Sequence, residues 1–449
     1  MKFPVANPFY LFFLHFFLII LICCECYTPP DNIALNCGTS GLSSSPDGRI
    51  WTGDIPYIAS SSGKPNFRSS KPSPLSTLPY DTASVSQSEF TYAFRLRSSG
   101  PIFIRLHFFP SSYQDFASSK AFFSVKANQF TLTNFSAYAV TAEEHMVKEY
   151  CIYVGEDKSV KITFTPSHIQ PGAYAFINGI EIVSMPPDLY YVSHRERDNV
   201  GNKNGRYNLP NDTALEMVLR LNVGGGFIYP MKDTGMYRSW QTDDEYVNDG
   251  GAVPVGNTTE LRFIKIANYC APNELYSTAR TMGPNRTKNQ SYNLTWSLPL
   301  DPQSQEVPYL VRLHFCEFQP EINSVGDRIF IIYMANLTAE EHADVISWTG
   351  NNGRDIPIYK DYFVYINPGE EKKHNFLLAL QTGPVSETGR SDVILNGLEV
   401  FKLSDSYYNL AGPNLDLLPL FPIAPPNPTS RPGVSKMLIA VILGVPCWV

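Results

Sequence analysis

An all-β fold of two tandem β-sandwiches, jelly-roll-like in its many short strands, is the class this sequence predicts. Composition, alternation and internal duplication point to it together. Of 449 residues 43% are hydrophobic and 13% aromatic while only 17% are charged, so the chain buries cores and is poor in solvated helices. With 36 Pro and 29 Gly the chain reverses often. Its apolar residues alternate singly, the period of a strand with one buried face.

Duplication fixes the number of units. Leu35-Asn36-Cys37-Gly38 faces Leu221-Asn222-Val223-Gly224, and Arg49-Ile50-Trp51 faces Arg238-Ser239-Trp240. Arg105-Leu106-His107-Phe108 recurs as Arg312-Leu313-His314-Phe315. Lys148 to Val154 matches Lys360 to Ile366, and Ile177-Asn178-Gly179-Ile180-Glu181-Ile182 matches Leu395-Asn396-Gly397-Leu398-Glu399-Val400. The spacing between partners grows steadily along the chain, as small loop insertions in a second copy would make it. The expected domains are residues 27–192 and 211–404, joined by the polar, glycine-bearing linker 193–210.

Within the copies, Phe103, Arg105, His107 and Phe109 point to one face of a strand, and Ile102, Ile104, Leu106 and Phe108 to the core face. Asn178-Gly179 and Asn396-Gly397 carry a β-hairpin signal. Helical spacing is confined to Ala214 to Leu221 and Pro272 to Met282.

Both ends differ from the middle. The apolar run Phe9 to Cys24 reads as an export leader, residues 1–26, cut before Tyr27; an uncleaved anchor is the alternative. Residues 405–436 read as a proline-rich juxtamembrane spacer, and 437–449 as the truncated start of a transmembrane helix, too short to span a bilayer. Glycosylation sequons at Asn134, Asn211, Asn257, Asn285, Asn289, Asn293 and Asn336 agree with export to the extracellular face, secreted or at the plasma membrane. The cluster Asn285, Asn289 and Asn293 predicts a sugar-shielded surface.

A net charge of −7 argues against nucleic acid as partner. His194-Arg195-Glu196-Arg197-Asp198 lacks the spacing of a kinase catalytic loop, and Gly224-Gly225-Gly226 lacks the Lys-Ser/Thr of a phosphate loop. Thr141-Ala142-Glu143-Glu144-His145 recurs as Thr338-Ala339-Glu340-Glu341-His342, but out of step with the other repeats, so no metal site is expected. His107 and His314 are in register opposite the core face and read as hydrogen-bonded structural histidines. No catalytic residue and no cofactor is expected. A convergent carboxylate pair for glycoside hydrolysis is the remaining enzymatic alternative.

Two surfaces offer binding chemistry. Loop aromatics Tyr57, Tyr80, Tyr113 and Phe116 could stack on sugar rings, and pectin would also need a basic patch such as Arg95, Arg97 and Arg105. Asp243, Asp244, Glu245 and Asp249 would draw in a basic peptide. Cys37 with Cys151 and Cys270 with Cys316 are the economical disulfide pairs, one per domain, with a free buried Cys316 as the rival.

The opening Leu35-Asn36-Cys37-Gly38, Arg238-Ser239-Trp240, Ala271-Pro272-Asn273-Glu274-Leu275-Tyr276-Ser277-Thr278-Ala279-Arg280, Leu310 to Glu317 and Ile394 to Leu403 resemble the tandem malectin-like ectodomains of FERONIA-type plant receptor kinases. The resemblance spans about Asp31 to Gly412. It implies two malectin-like sandwiches at the cell surface that bind secreted basic peptides of the rapid alkalinisation type with a GPI-anchored co-receptor, and that touch cell-wall pectin. It favours peptide binding over carbohydrate binding. Such proteins continue into a membrane span and a cytoplasmic kinase, whereas this sequence stops within the expected span.

Overall fold

The computed structural model describes residues 27–59, 66–69, 78–137, 145–192, 197–201, 205–248, 251–300, 307–350, 352–366 and 374–412. The duplicated motifs form the longest strands, Gly100–Phe108 and Met146–Val154 in the first copy and Val307–Phe315 and Ile358–Ile366 in the second. Alternating branched and aromatic residues give each an apolar face. Ile102, Ile104, Leu106 and Phe108 enter one core with Tyr92, Phe123 and Phe164, and Tyr309, Val311, Leu313 and Phe315 enter another with Trp296, Phe330 and Leu378. Each such side chain contributes about 1.5–3 kcal/mol on burial. A four-stranded sheet closes each core. The first runs Phe90–Arg95, Ser159–Pro166, Phe122–Ala127, Phe130–Ser136; the second runs Leu294–Leu300, His374–Thr382, Phe330–Met334, Leu337–Ala343. The fold is therefore all-β with two sandwiches, as expected.

The opposite sheets of the two sandwiches are fused edge to edge into one 13-stranded sheet. They meet where Tyr150 and Cys151 pair antiparallel with Glu216 and Leu215. The face that alternation leaves outside the sandwich cores is buried as well. Phe103, Cys151, Val183, Tyr190, Leu215, Phe363 and Phe401 form a third apolar cluster across the junction. The loop before Arg238 reaches back to the first sandwich: Tyr27 N donates to Thr234 O (3.2 Å), and the Arg49 guanidinium lies 4.1 Å from the Tyr237 ring centre.

Several elements differ from the sequence reading. Asn178-Gly179 is not a hairpin, because Ala175–Ile177 pairs with Thr82–Ser86 in one sheet and Gly179–Ser184 with Gly100–Phe108 in the other. The asparagine pins this switch. Its Oδ1 accepts from Phe109 N (2.8 Å) and its Nδ2 donates to Thr82 O (2.8 Å). Asn396 repeats both bonds with Cys316 N and Thr278 O (2.7 and 2.8 Å). A Cβ on Gly179 would stand 2.4 Å from the Pro79 ring.

The helix expected over Ala214 to Leu221 is instead the strand Leu215–Asn222, whose pairing with Gly397–Leu403 overrides a weak local pattern. Pro272 to Met282 splits into the short helix Asn273–Tyr276 and the strand Thr278–Thr281. The polar linker supplies edge strands, Arg197–Asn199 pairing with Tyr362 and Phe363, and Arg206–Tyr207 pairing with it in turn. The start of the expected spacer is anchored, since Thr131 N donates to Tyr408 O and Leu410 N to Thr131 O on the first sandwich. The leader, residues 413–449 and Asp249 lie outside the described residues. Among the described residues no helix is long and apolar enough to cross a membrane.

Candidate functional site

Strand register places Arg105 between Glu149 on one neighbouring strand and Glu181 on the other. Its Nε donates to Glu149 Oε2 (2.5 Å) and its Nη1 to Glu181 Oε2 (3.2 Å). His107 lies 2.7 Å from Glu181 Oε1 through Nε2 and 3.0 Å from the Tyr80 hydroxyl through Nδ1. Trp51 meets the imidazole edge-on. The second copy rebuilds this arrangement: Arg312 donates to both oxygens of Asp361 (2.7 and 2.9 Å), and His314 lies between Glu399 (3.1 Å) and the Tyr276 hydroxyl (2.7 Å), with Trp240 edge-on.

Arg220 joins the two halves. Its Nη2 donates to Glu149 Oε1 (2.8 Å) and its Nε to Glu399 Oε2 (2.9 Å), so a buried chain of partners runs unbroken from Tyr80 to Tyr276. Burial alone would raise the carboxyl pKa values. For Glu149 it is outweighed by Arg220 and Arg105, and for Glu399 by the His314 hydrogen bond and Arg220, which hold both below the usual carboxylate range. Burial lowers the His314 pKa. Both ring nitrogens of His107 and of His314 are engaged within the protein, which is the structural role expected of them.

The acidic cluster does not assemble as one surface. Asp243 is fully buried, accepting from Gly224 N (2.9 Å), Arg280 Nε (2.6 Å) and Trp296 Nε1 (2.8 Å). It is the counterpart of Asp54, which accepts from Gly38 N, Ser84 and Tyr92 in the first copy. Asp243 is thus an internal anchor and not a contact residue. Asp244 and Glu245 are exposed, and Asp244 also binds Arg280 Nη2 (2.5 Å).

The four aromatic candidates are likewise dispersed. Tyr113 is buried, its hydroxyl donating to Phe109 O (2.5 Å), which corrects its reading as a sugar platform. Phe116 is tied to Tyr113 through the backbone but packs its ring on Tyr174, and Tyr57 packs on Phe94. Tyr80 stacks on His145 with ring centres 4.0 Å apart. The basic patch fails for the same reason as Asp243: Arg95 and Arg97 are exposed, while Arg105 lies inside the network.

The expected disulfides give way to four buried free thiols. Cys37 sits in the first sandwich core, whereas alternation turns Cys151 outward into the junction cluster with Cys270, and Cys316 packs with Trp240 and Tyr276. Burial pushes all four thiol pKa values up. Asn211, Asn285, Asn293 and Asn336 are exposed, and Asn134 and Asn257 are half-buried. Asn289 is interior, its Nδ2 donating to Gly283 O and Ser391 O (2.7 and 2.8 Å), so the glycan expected there has no space.

His342 of the recurring segment is largely exposed, and Thr141 to Glu144 lie outside the described residues. Among the described residues no group of three or more His, Cys, Asp or Glu could hold a metal ion. A cavity of about 460 Å³ opens on the second sandwich between Val253, Thr281, Arg286, Arg328 and Arg390. None of the candidate residues lines it.

Comparisons with known proteins agree with this geometry. The malectin-like domain profile matches residues 35–403. The chain is 42% identical over 439 residues to the receptor-like protein kinase FERONIA of Arabidopsis thaliana, an alignment covering 93% of this chain and 46% of that protein. It spans about half the length of the curated relatives it matches. The crystal structure of the ANXUR1 extracellular domain from Arabidopsis thaliana superposes with a TM-score of 0.77 at 34% identity, covering 86% of this chain and 99% of that one. The FER chain in a crystal structure of the plant peptide RALF23 with FER and LLG2 superposes with a TM-score of 0.75 at 40% identity and the same coverage. Two sandwiches built on one duplicated motif, and a profile match across both, establish that the chain belongs to the malectin-like domain family.

Proposed function

We propose that this chain is the extracellular ligand-recognition region of a FERONIA-type receptor, and that it binds a secreted basic peptide of the rapid alkalinisation type together with a GPI-anchored co-receptor. The observation that carries this reading is the fold shared, at 40% identity over nearly the whole of the matched chain, with a protein crystallised in complex with such a peptide. A net charge of −7 suits a basic ligand. The same reading assigns residues 1–26 to an export leader, 27–192 and 211–404 to the two domains, and 405–449 to the approach to a membrane. It makes the region a recognition module, with no catalytic step of its own. Pectin binding is the weaker reading, because the aromatic candidates are spread over separate sites and Arg105 is internal.

Calorimetric titration of the secreted chain checks this. A synthetic basic peptide of this type, with and without the co-receptor, is expected to bind saturably, and oligogalacturonide to bind more weakly or not at all. Binding of the oligosaccharide alone would overturn the assignment.

A further inference from the structure

The cavity on the second sandwich has a floor whose charges satisfy one another. Arg328, almost fully buried, donates to Glu317 Oε2 (2.5 Å) and Asp392 Oδ2 (2.8 Å) and also reaches Gln319. Its rim is less committed. Among the described residues Arg286 makes one bond, to Val385 O (3.3 Å), and Arg390 comes no closer to Glu321 than 4.0 Å. Val253, Val255 and Pro284 supply an apolar wall. A space of about 460 Å³ is large enough for a small ligand. With both signs of charge in its lining it favours neither an anion nor a cation. It suits a neutral molecule whose hydroxyl and amide groups meet donors and acceptors while its C–H faces meet valine and proline.

The chain carries the attachment point of such a molecule beside this space. Asn285, of the sequon Asn285-Arg286-Thr287, stands in the chain between two lining residues, Pro284 and Arg286. It is exposed, yet its side chain is held, because Oδ1 accepts from Lys288 N (3.0 Å) and caps the short helix Arg286–Asn289. That bond leaves Nδ2, the atom a glycan joins, without a partner among the described residues. Other sequons differ. Nδ2 of Asn289 donates to Gly283 O and Ser391 O, and that of Asn257 to Asp355 Oδ1 (3.0 Å), so both are engaged in the fold. Asn211, Asn293 and Asn336 are exposed, and among the described residues no side-chain bond fixes them.

We propose that the glycan of Asn285 lies in this cavity, its first N-acetylglucosamine residues closing the space between Val253 and Arg390, so that the sugar is a packed part of the second sandwich. The glycosidic bond forms between Nδ2 and the anomeric carbon of a diphosphate-activated oligosaccharide, with departure of the diphosphate and of one Nδ2 proton. Oδ1 keeps its bond to Lys288 N throughout. This rests on the export reading given above.

The full chain, secreted from a glycosylating host, is digested with an N-glycosidase under native conditions, and each site is followed by peptide mass spectrometry. Asn285 and Asn293 are both exposed, so the accessibility of the asparagine alone predicts equal rates. The glycan at Asn285 is expected to be released at least about tenfold more slowly than that at Asn293, and at the same rate after denaturation. Val253→Ser/Arg286→Ala keeps the sequon, and should speed release at Asn285 while leaving Asn293 unchanged. Thr287→Ala removes the glycan and keeps the Asn285 cap, and should quicken amide exchange at Gly389 and Arg390 several-fold. If the double variant melts early, the comparison of the two sites in the unaltered chain carries the test. Equal native rates at Asn285 and Asn293, or an unmodified Asn285 beside a modified Asn293, would overturn the docked glycan and leave the export reading in place. Absence of sugar at every sequon would overturn both.

Discussion

Asp243 is buried beneath the loop whose surface it would dominate by composition, and three donors converge on it: Gly224 N, Arg280 Nε and Trp296 Nε1. A carboxylate so placed is stable only because each donor replaces a lost water, and each donor is stable only because the carboxylate is there. Asp243→Asn keeps the shape and removes the charge that faces Arg280. It is expected to cost about 2–4 kcal/mol in urea denaturation, while Glu245→Ala, two residues away in solvent, should stay within about 0.5 kcal/mol. An equally mild effect at both positions would mean that Asp244 satisfies Arg280 alone. In sequence the two acids differ in nothing, because the partners that separate them lie far from them along the chain, Gly224 upstream and Arg280 and Trp296 downstream. Tyr113 and Asn289 became interior for the same reason: both are polar residues whose partners come from other strands and loops.

Asparagine plays the corresponding part for whole elements. Asn178 and Asn396 each tie the end of one strand to the preceding crossover, so that the chain leaves one sheet and enters another. The dipeptide Asn-Gly was legible as a reversal point, and the repeat of the motif placed both copies at equivalent positions. What it could not show was that the side chain, and not a tight turn, makes the change of direction, since that depends on Phe109, Thr82, Cys316 and Thr278. Strands carrying the duplicated Arg-Leu-His-Phe were legible from alternation alone. Leu215–Asn222 was not, because its partner strand Gly397–Leu403 lies almost at the other end of the chain. Asn396→Ala removes the partner of Cys316 N in the interior and of Thr278 O at a half-buried position. The expected cost is about 1–3 kcal/mol for each group, with faster amide exchange at Cys316 than in the first sandwich. Exchange rates unchanged from the unaltered chain would show that water fills the gap.

The fused sheet makes the two copies one mechanical body, and its ionic chain gives that body a dependence on pH. His314 has its pKa lowered by burial, so its stabilising contribution is complete above its ordinary value near 6.5 and is lost as pH falls through the lower folded value. Glu149, Glu181 and Glu399 are held below the usual carboxylate range despite burial, so what they contribute is complete above about pH 4.5 and is lost below it. Stability should therefore begin to fall below about pH 6.5 and fall more steeply below about pH 4.5. His314→Gln should remove the first part of that decline and leave the second. Arg220→Met is the sharper probe, because among the described residues Arg220 alone pairs with both Glu149 and Glu399 across the junction. Without it both carboxyl groups lose one of the cations that offset burial and their pKa values rise from the unaltered chain's, so the variant should be less stable at pH 7 and lose less of its stability on acidification, and its thermal transition should separate into two as the sandwiches uncouple. Calorimetry at pH 7, 5 and 4 reads all three effects. A variant with one sharp transition and the original pH slope would place the coupling in the apolar junction of Phe103, Tyr190 and Phe401, with the charges as passengers.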